Sequence, residues 1–111
     1  MQVQFFRTSS GRQPVREYLD ALPAGDRGEA TAIIDSIELF GFQTPRVRFR
    51  QIRGKLWEFR IEGQTSHRVF YVTITGPVMV LLHAYKKEGQ KAPPDEIRTA
   101  ERRMKEVLHG S

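Results

Sequence analysis

The spacing of the apolar residues changes once along this chain, near Arg46, and this change restricts the fold more than any other feature. Before it, apolar residues recur every three or four positions, as they do on one face of a helix. After it, they alternate with polar residues or run continuously, as they do in the strands of a sheet. The pattern therefore predicts helices followed by a sheet, on which the apolar helix faces must pack.

Two helices are predicted before the change. The first begins at Pro14, a residue that suits the first helical position, and ends before Pro23. The second is longer and ends at Gly41, where a left-handed C-cap residue is usual. Their apolar faces comprise Val15, Tyr18, Leu19, Leu22, Ala30, Ile33, Ile34, Ile37 and Phe40.

The strands are predicted from period-two alternation and from continuous apolar runs. They are Val3–Phe6, Arg46–Ile52, Leu56–Glu62, His67–Ile74 and Val78–Tyr85. The last is almost wholly apolar, which predicts a central strand covered on both faces. A final helix is expected after Pro94, with acidic residues in its first turn.

The element order predicts an α+β fold in a single domain that spans residues 1–111. We expect a two-layer sandwich in which an antiparallel β-sheet packs against two N-terminal helices, with a short C-terminal helix. Because 111 residues suffice for one core only, one functional site is expected.

Composition excludes several kinds of site. The chain has no cysteine, which excludes disulfides, thiolate metal clusters and a cysteine nucleophile. Its three scattered histidines predict no metal site, and we expect no cofactor. No apolar segment approaches the roughly 20 residues that cross a bilayer, and the first residues do not resemble a signal peptide. We therefore expect a cytoplasmic protein without a membrane partner.

The positive charge is concentrated in the middle of the chain. The segment from Arg46 to Lys91 holds ten basic and three acidic residues, whereas the remainder holds eight basic and ten acidic residues. Such an asymmetry is typical of proteins that bind polyanions, although a solvated basic face without a partner shows it as well.

Several motifs resemble one toxin family. The segments GKLWEFRIEGQTSHRVFYV and VMVLLHAYKKEGQKAPPDEI, followed by a helix with AERRM, are similar to the phage Gp49-like, or HigB-type, branch of the RelE/ParE toxin superfamily. The resemblance covers nearly the whole chain and implies a RelE-like fold. It also implies the toxin half of a type II toxin–antitoxin pair.

Most RelE-like and HigB-like toxins are endoribonucleases that cut mRNA in the ribosomal A site, so the resemblance implies a ribosome-dependent enzyme. Cleavage without a metal uses the RNA 2′-hydroxyl as nucleophile and leaves a 2′,3′-cyclic phosphate and a 5′-hydroxyl. It needs a base, cations at the phosphate and a proton donor. The candidate catalytic residues are Arg68, His83, Tyr85, Lys86 and Lys87.

Arg68 is the expected main phosphate ligand, since a guanidinium can hold two phosphate oxygens at once. The alternative is a salt bridge from Arg68 to Glu58 or Glu62. His83 is either a proton-transfer group or a core residue. An antiparallel hairpin returns its exit beside its entrance, so Arg68 and the cluster from His83 to Lys87 are expected to meet at one end of the sheet.

Further residues are expected to bind RNA. They are Arg48, Arg53, Lys55, Arg60, Tyr71 and Lys91. In an ideal strand Tyr71 faces away from Arg68, so a shared site would require a bulge. Glu58 stands where some relatives place a lysine, and it is either a general base or a clamp for Arg60. Trp57 is expected in the core, against the helices.

The ParE branch inhibits DNA gyrase, so one alternative is a gyrase inhibitor without nuclease activity, and another is a catalytically inactive RNA-binding relative. The expected partners are a HigA-like helix-turn-helix antitoxin, the ribosome and mRNA. Operator DNA is expected to be bound only through the antitoxin.

Overall fold

The computed structural model describes residues 1–110, which form a five-stranded sheet, three α-helices and one short 3-10 helix. The elements are β1 (Gln2–Phe5), α1 (Pro14–Asp20), α2 (Ala24–Phe40), the 3-10 helix (Gly41–Gln43), β2 (Arg50–Arg53), β3 (Leu56–Glu62), β4 (Ser66–Ile74), β5 (Val78–Lys86) and α3 (Pro94–His109). The predicted order of elements is confirmed. Within the described chain, no helix is both long enough and apolar enough to cross a membrane.

The sheet is mixed, with the strand order β1-β5-β4-β3-β2, so the prediction of an antiparallel sheet is wrong at one edge. β1 pairs with β5 in parallel, whereas β2 to β5 form an antiparallel meander. The reason is the connection through α1 and α2. It carries the chain to the far edge of the sheet, from which three hairpin connections return it beside β1.

Helices cover both faces of the sheet. We call the side against α1 and α2 the α1/α2 face and the side against α3 the α3 face. A core that includes Phe59, Val69 and Leu81 packs on the first, and a second core that includes Phe70, Leu82 and Ala100 packs on the other. The predicted burial of β5 on both faces is confirmed. The sheet therefore lies between two layers of helices, so the fold has one layer more than the predicted two-layer sandwich.

The C-terminal helix was predicted to be short, but α3 has 16 residues. Its apolar stripe is long enough to cover the second core. Ala100 is buried there, and Ile97, Met104 and Val107 pack around it. α3 packs on β4, β5 and the start of β3 at Leu56, and leaves the far end of β3, at Arg60 and Glu62, more open.

The strand predicted at residues 46–52 begins only at Arg50. Arg46 has a φ of 66°, which breaks an extended conformation, and Val47 and Phe49 pack on the core from an irregular segment. The apolar residues of this alternating segment are directed to the core as predicted, but they reach it from a loop and not from a strand. α2 ends at Phe40 and Gly41 is its C-cap residue, as predicted, but with a φ of 57° and a ψ of −134° it lies outside the left-handed helical region.

Candidate functional site

Strand register brings three of the five predicted catalytic residues, Arg68, His83 and Tyr85, into two rows on the α3 face. Arg60 pairs with Arg68, and Arg68 pairs with Tyr85. In the neighbouring row, Phe70 lies between Glu58 and His83. The register thus places Arg68 beside the residues at the end of β5, as the hairpin argument predicted.

An irregularity in β5 gives His83 this orientation. Phe70 pairs with His83 but the next residue, Tyr71, pairs with Leu81, so Leu82 is an extra residue in the ladder. Such a bulge changes which face the following side chains occupy. His83 and Tyr85 therefore share the α3 face with Arg68. Tyr71 stays on the α1/α2 face, because the bulge lies in the opposite strand.

Arg68 is wholly buried and its guanidinium holds the segment after β5. Nη2 donates to the carbonyl oxygens of Gly89 at 3.2 Å and Gln90 at 2.7 Å. Nη1 lies 3.5 Å from Oε1 of Glu58. The salt bridge considered as the alternative to phosphate binding is thus present. A phosphate could reach this guanidinium only if the segment at Gly89 and Gln90 moved.

Glu58 is the centre of a cluster of arginines. Its carboxylate is 1% exposed, and Oε2 lies 3.0 Å from Nη2 of Arg50 and 3.9 Å from Nε of Arg60. With Arg68 on Oε1, three guanidiniums surround one carboxylate, so the cluster carries a net charge of +2. Glu58 is in contact with Arg60 as a clamp would be.

An open cavity lies beside this cluster, where α3 does not cover the sheet. It has a volume of about 220 Å³. We call it the arginine pocket, and its lining residues are Arg46, Arg48, Arg50, Glu58, Arg60 and Glu62. Four arginines against two carboxylates give its lining a net positive charge, which suits an anion such as phosphate.

His83 is engaged by α3. Nε2 donates to Oε1 of Glu96 at 2.8 Å, and Nδ1 accepts from Nη1 of Arg103 at 3.4 Å. Burial lowers the pKa of His83 and outweighs the opposing effect of Glu96. The neutral ring with a proton on Nε2 fits both contacts. In this arrangement His83 secures α3 to the sheet.

Tyr85 combines burial with an unpaired hydroxyl. The residue is 7% exposed, and among the described residues its hydroxyl has no hydrogen-bond partner. Burial raises the pKa of Tyr85, so its hydroxyl stays protonated at neutral pH and can donate a proton. A cavity of about 320 Å³ at the end of β5 is lined by Tyr85, Lys86, Lys91 and Glu96, among others.

The two lysines after Tyr85 differ in their positions. Lys86 pairs with His67, so its side chain starts on the other face, and it is exposed with Nζ 4.0 Å from Oε1 of Glu88. Lys87 is half-buried and its backbone N–H donates to the carbonyl of Ser66 at 2.8 Å. Lys86 and Lys91 are the cations at the rim of the cavity.

The other predicted RNA-binding residues do not form one cluster. Arg53 donates from Nε to Oε2 of Glu101 on α3 at 2.7 Å. Arg48, Lys55 and Tyr71 line a groove on the opposite side, together with Trp57. Trp57 was expected in the core against the helices, but it is 36% exposed, because α1 and α2 end short of it.

Sequence reasoning missed a buried polar network on the α1/α2 face. His67 Nε2 lies 3.0 Å from Oδ2 of Asp26, and Nδ1 lies 2.7 Å from the hydroxyl of Tyr18. Asp26 also accepts the backbone N–H groups of Gln64 at 2.8 Å and Thr65 at 3.2 Å. These bonds lower the pKa of Asp26, with the bond from His67 as the main cause.

This network fixes the β3–β4 loop to α2. A Cβ on Gly63 would collide with the Asp26 carboxylate, so only glycine allows so close an approach. Burial, followed by the charges of Glu96 and Asp26, raises the pKa of Tyr18 to about 12, so Tyr18 is not a nucleophile at neutral pH. The one signal in the sequence was an acidic residue in the first turn of a helix, which dipole effects explain equally well.

A comparison with protein families identifies one match. The family model described as phage-derived protein Gp49-like matches residues 17–105, which is most of the chain and includes every candidate residue discussed above. No curated protein matches the sequence.

Proposed function

We propose that this chain, which belongs to the Gp49-like family of phage-derived proteins in the RelE/ParE-type toxin group, is the toxin of a type II toxin–antitoxin pair. Its proposed activity is that of a ribosome-dependent mRNA endoribonuclease in the cytoplasm. The observation that carries this proposal is the row Arg60, Arg68 and Tyr85 beside Glu58, next to the arginine pocket.

In the proposed reaction, the RNA 2′-oxygen attacks the neighbouring phosphorus and its proton passes to the Glu58 carboxylate. The bond from phosphorus to the 5′-oxygen breaks, and Tyr85 donates a proton to that oxygen. The products are a 2′,3′-cyclic phosphate and a 5′-hydroxyl. Exchange with water then returns a proton to Tyr85 and removes one from Glu58.

The charge distribution supports this assignment of roles. Arg50 and Arg60 lie on Glu58 at the edge of the arginine pocket, where they can hold the phosphate oxygens. Arg68 joins them once its two carbonyl partners, Gly89 and Gln90, move away. Preorganised guanidiniums stabilise the charge that develops on the phosphorane. Lys86, Lys87 and Lys91 attract the RNA to the end of β5.

The test compares growth arrest and RNA ends in cells that express variants. Tyr85→Phe is the sharpest variant, because among residues 1–110 the lost hydroxyl has no hydrogen-bond partner and the ring that packs in the core is retained. Loss of a general acid reduces cleavage by about 100-fold or more. Arg68→Ala should also abolish cleavage, but its buried position calls for a thermal unfolding measurement alongside.

The control is Arg102→Ala, which removes an exposed arginine of α3 that has no role in the proposed reaction. Codon-phased 5′-hydroxyl ends in the wild type and in Arg102→Ala, but not in a folded Tyr85→Phe variant, would support the nuclease. Arrest that Tyr85→Phe leaves unchanged, without new RNA ends, would contradict it.

One observation favours the second candidate, a gyrase inhibitor without nuclease activity. Arg68, Tyr85 and Glu58 are all nearly inaccessible, which a purely structural cluster would be as well. If the protein is a gyrase inhibitor, the purified protein should reduce supercoiling by gyrase, and the Tyr85→Phe variant should reduce it equally. An inactive RNA-binding relative would bind RNA and cause neither outcome.

The proposed partners follow from the toxin assignment. They are a HigA-like helix-turn-helix antitoxin, the ribosome and mRNA, with operator DNA bound through the antitoxin. Co-expression with the product of a neighbouring open reading frame should restore growth, and a complex of the two proteins should co-purify.

A further inference from the structure

A groove lined with aromatic rings lies at the β2 edge, outside the proposed catalytic row. Its volume is about 730 Å³. We call it the aromatic groove; the lining residues used below are Phe42, Arg48, Phe49, Lys55, Trp57 and Tyr71. It is on the α1/α2 face, beyond the end of α2, and the proposed reaction does not use it.

The rings form a fixed floor and an accessible wall. Phe42 and Phe49 pack edge to face with centroids 5.2 Å apart, and Phe49 packs in the same way on Tyr71 at 6.1 Å. Trp57 and Phe42 remain 36% and 46% exposed. Large aromatic faces left open to solvent in a rigid setting are platforms on which a planar ligand can stack.

The charges around the groove have one sign. Arg48 and Lys55 line it, no carboxylate does, and neither cation forms an ion pair within residues 1–110. Arg48 also lines the arginine pocket. The two cavities therefore meet at Arg48, on either side of the sheet edge.

Tyr71 adds an unpaired polar group. The residue is 1% exposed, and its hydroxyl has no hydrogen-bond partner among the described residues. Burial raises the pKa of Tyr71, so the hydroxyl remains a donor. A ligand with hydrogen-bond acceptors at its edge would complete this site.

We propose that the aromatic groove binds an unpaired nucleobase of single-stranded RNA whose adjacent phosphate lies in the arginine pocket. Stacking platforms next to a cationic track are how single-stranded nucleic acids are bound without base pairing. The inference rests on the proposed function for the choice of RNA over DNA. It extends that function, because it places a substrate contact on the face opposite the catalytic row.

A protein segment is the competing occupant. Leu39 and Phe40, which are 77% and 53% exposed at the end of α2, would favour it. These two residues do not line the groove, however, and the groove combines four aromatic residues with two unpaired cations. That composition favours a base and a phosphate over an aliphatic side chain.

Trp57 makes the proposal directly measurable, since it is the only tryptophan and its indole forms part of the groove. The purified protein is titrated with a short 2′-O-methyl RNA, which cannot be cleaved through a 2′-hydroxyl, while tryptophan fluorescence is followed. We expect saturable quenching. An RNA of equal length with abasic positions throughout should bind about 5-fold or more weakly, because stacking is lost while the phosphates remain.

Phe42→Ala and Phe40→Ala form a matched pair, since both remove an exposed phenylalanine and only Phe42 lines the groove. We expect Phe42→Ala to weaken binding by about 5-fold to 100-fold and Phe40→Ala to leave it unchanged. Equal effects of the two variants, equal binding of the abasic RNA, or no quenching would each overturn the proposal.

The nuclease hypothesis and the aromatic-groove hypothesis can be contradicted independently of each other. Quenching that depends on Phe42 and persists in Tyr85→Phe would support the groove even if no RNA ends appear in cells. Codon-phased cleavage in cells together with an absence of quenching would retain the nuclease and overturn the groove.

Discussion

The two faces of the sheet differ in how completely their buried polar groups are hydrogen-bonded. On the α1/α2 face, Asp26, His67 and Tyr18 satisfy one another and the loop at Gly63 through bonds of 2.7 to 3.2 Å. On the α3 face, Glu58, Arg68 and Tyr85 are buried, yet each retains a side-chain atom without a hydrogen bond in the described chain. Four of the five such atoms lie on the α3 face.

This difference separates a structural network from a candidate site. Buried groups that are fully paired stabilise one conformation, whereas unpaired ones cost free energy that folding alone does not require. Such groups are common where a ligand completes the arrangement. Removing a group that is paired in the fold, such as Asp26 or Glu58, should therefore damage folding, whereas removing the unpaired Tyr85 hydroxyl should separate function from folding on the α3 face.

The largest loss of stability is expected from Glu58→Gln. The charge of buried Arg68 would lose its carboxylate partner, and Arg50 and Arg60 would no longer be attracted to that point. Breaking a buried ion pair from one side costs about 3 to 5 kcal/mol. Chemical denaturation measures the change. Glu62→Gln, at an exposed position, should change stability by less than about 0.5 kcal/mol, and equal effects of the two variants would contradict the buried cluster.

A smaller loss is expected from Asp26→Ala. His67 and the N–H groups of Gln64 and Thr65 would lose their acceptor, which should lower the melting temperature by about 10 °C. Asp35→Ala, at an exposed position of the same helix, is the control and should leave the melting temperature nearly unchanged. Equal melting temperatures of the two variants would show that the network does not hold the β3–β4 loop.

Gly63→Ala tests the same network with one added methyl group. The new Cβ would overlap the Asp26 carboxylate, so the loop or the helix must shift, at a cost of about 1 to 2 kcal/mol. Gly89→Ala meets no atom within 4 Å and serves as the control. The double variant Asp26→Ala, Gly63→Ala should lose less than the sum of the single variants, because the collision disappears with the carboxylate.

The fold was largely predictable because it depends on local periodicity. The spacing of Ile33, Ile34 and Ile37 and the apolar run of β5 determine element type and burial without knowledge of distant residues. The parallel pairing of β1 was not predictable in this way. It depends on which edge of the sheet the chain reaches after α2, and two helices contain no local signal for that.

The candidate site was predictable in residue type but not in environment. The short hairpin predicted that Arg68 lies beside the end of β5, but its direct pairing with Tyr85 depends on the bulge at Leu82, which the sequence did not predict. The burial of Arg68 could not, since its partners are carbonyl groups of Gly89 and Gln90 in a segment without periodicity. His67 was missed because Asp26 and Tyr18 are 41 and 49 residues away in the sequence.

The smallest effect is expected from the pH dependence that His83 imposes on the α3 face. Burial lowers its pKa below the ordinary value of 6.5, Arg103 and Arg102 act in the same direction, and Glu96 opposes them. The unfolded chain therefore binds a proton at this residue at a higher pH than the folded one. The stability gained from a neutral His83 is complete above pH 6.5 and is lost as the pH falls from there through the folded pKa.

Urea denaturation at about pH 7.5 and about pH 5.5 measures this loss. His83→Gln keeps a polar side chain but cannot titrate, so the difference between the two pH values should shrink relative to the wild type. His109→Gln, at an exposed position near the end of α3, should retain the wild-type difference. If His83→Gln also retained it, the pH dependence would arise elsewhere, and α3 would not be held through a neutral imidazole.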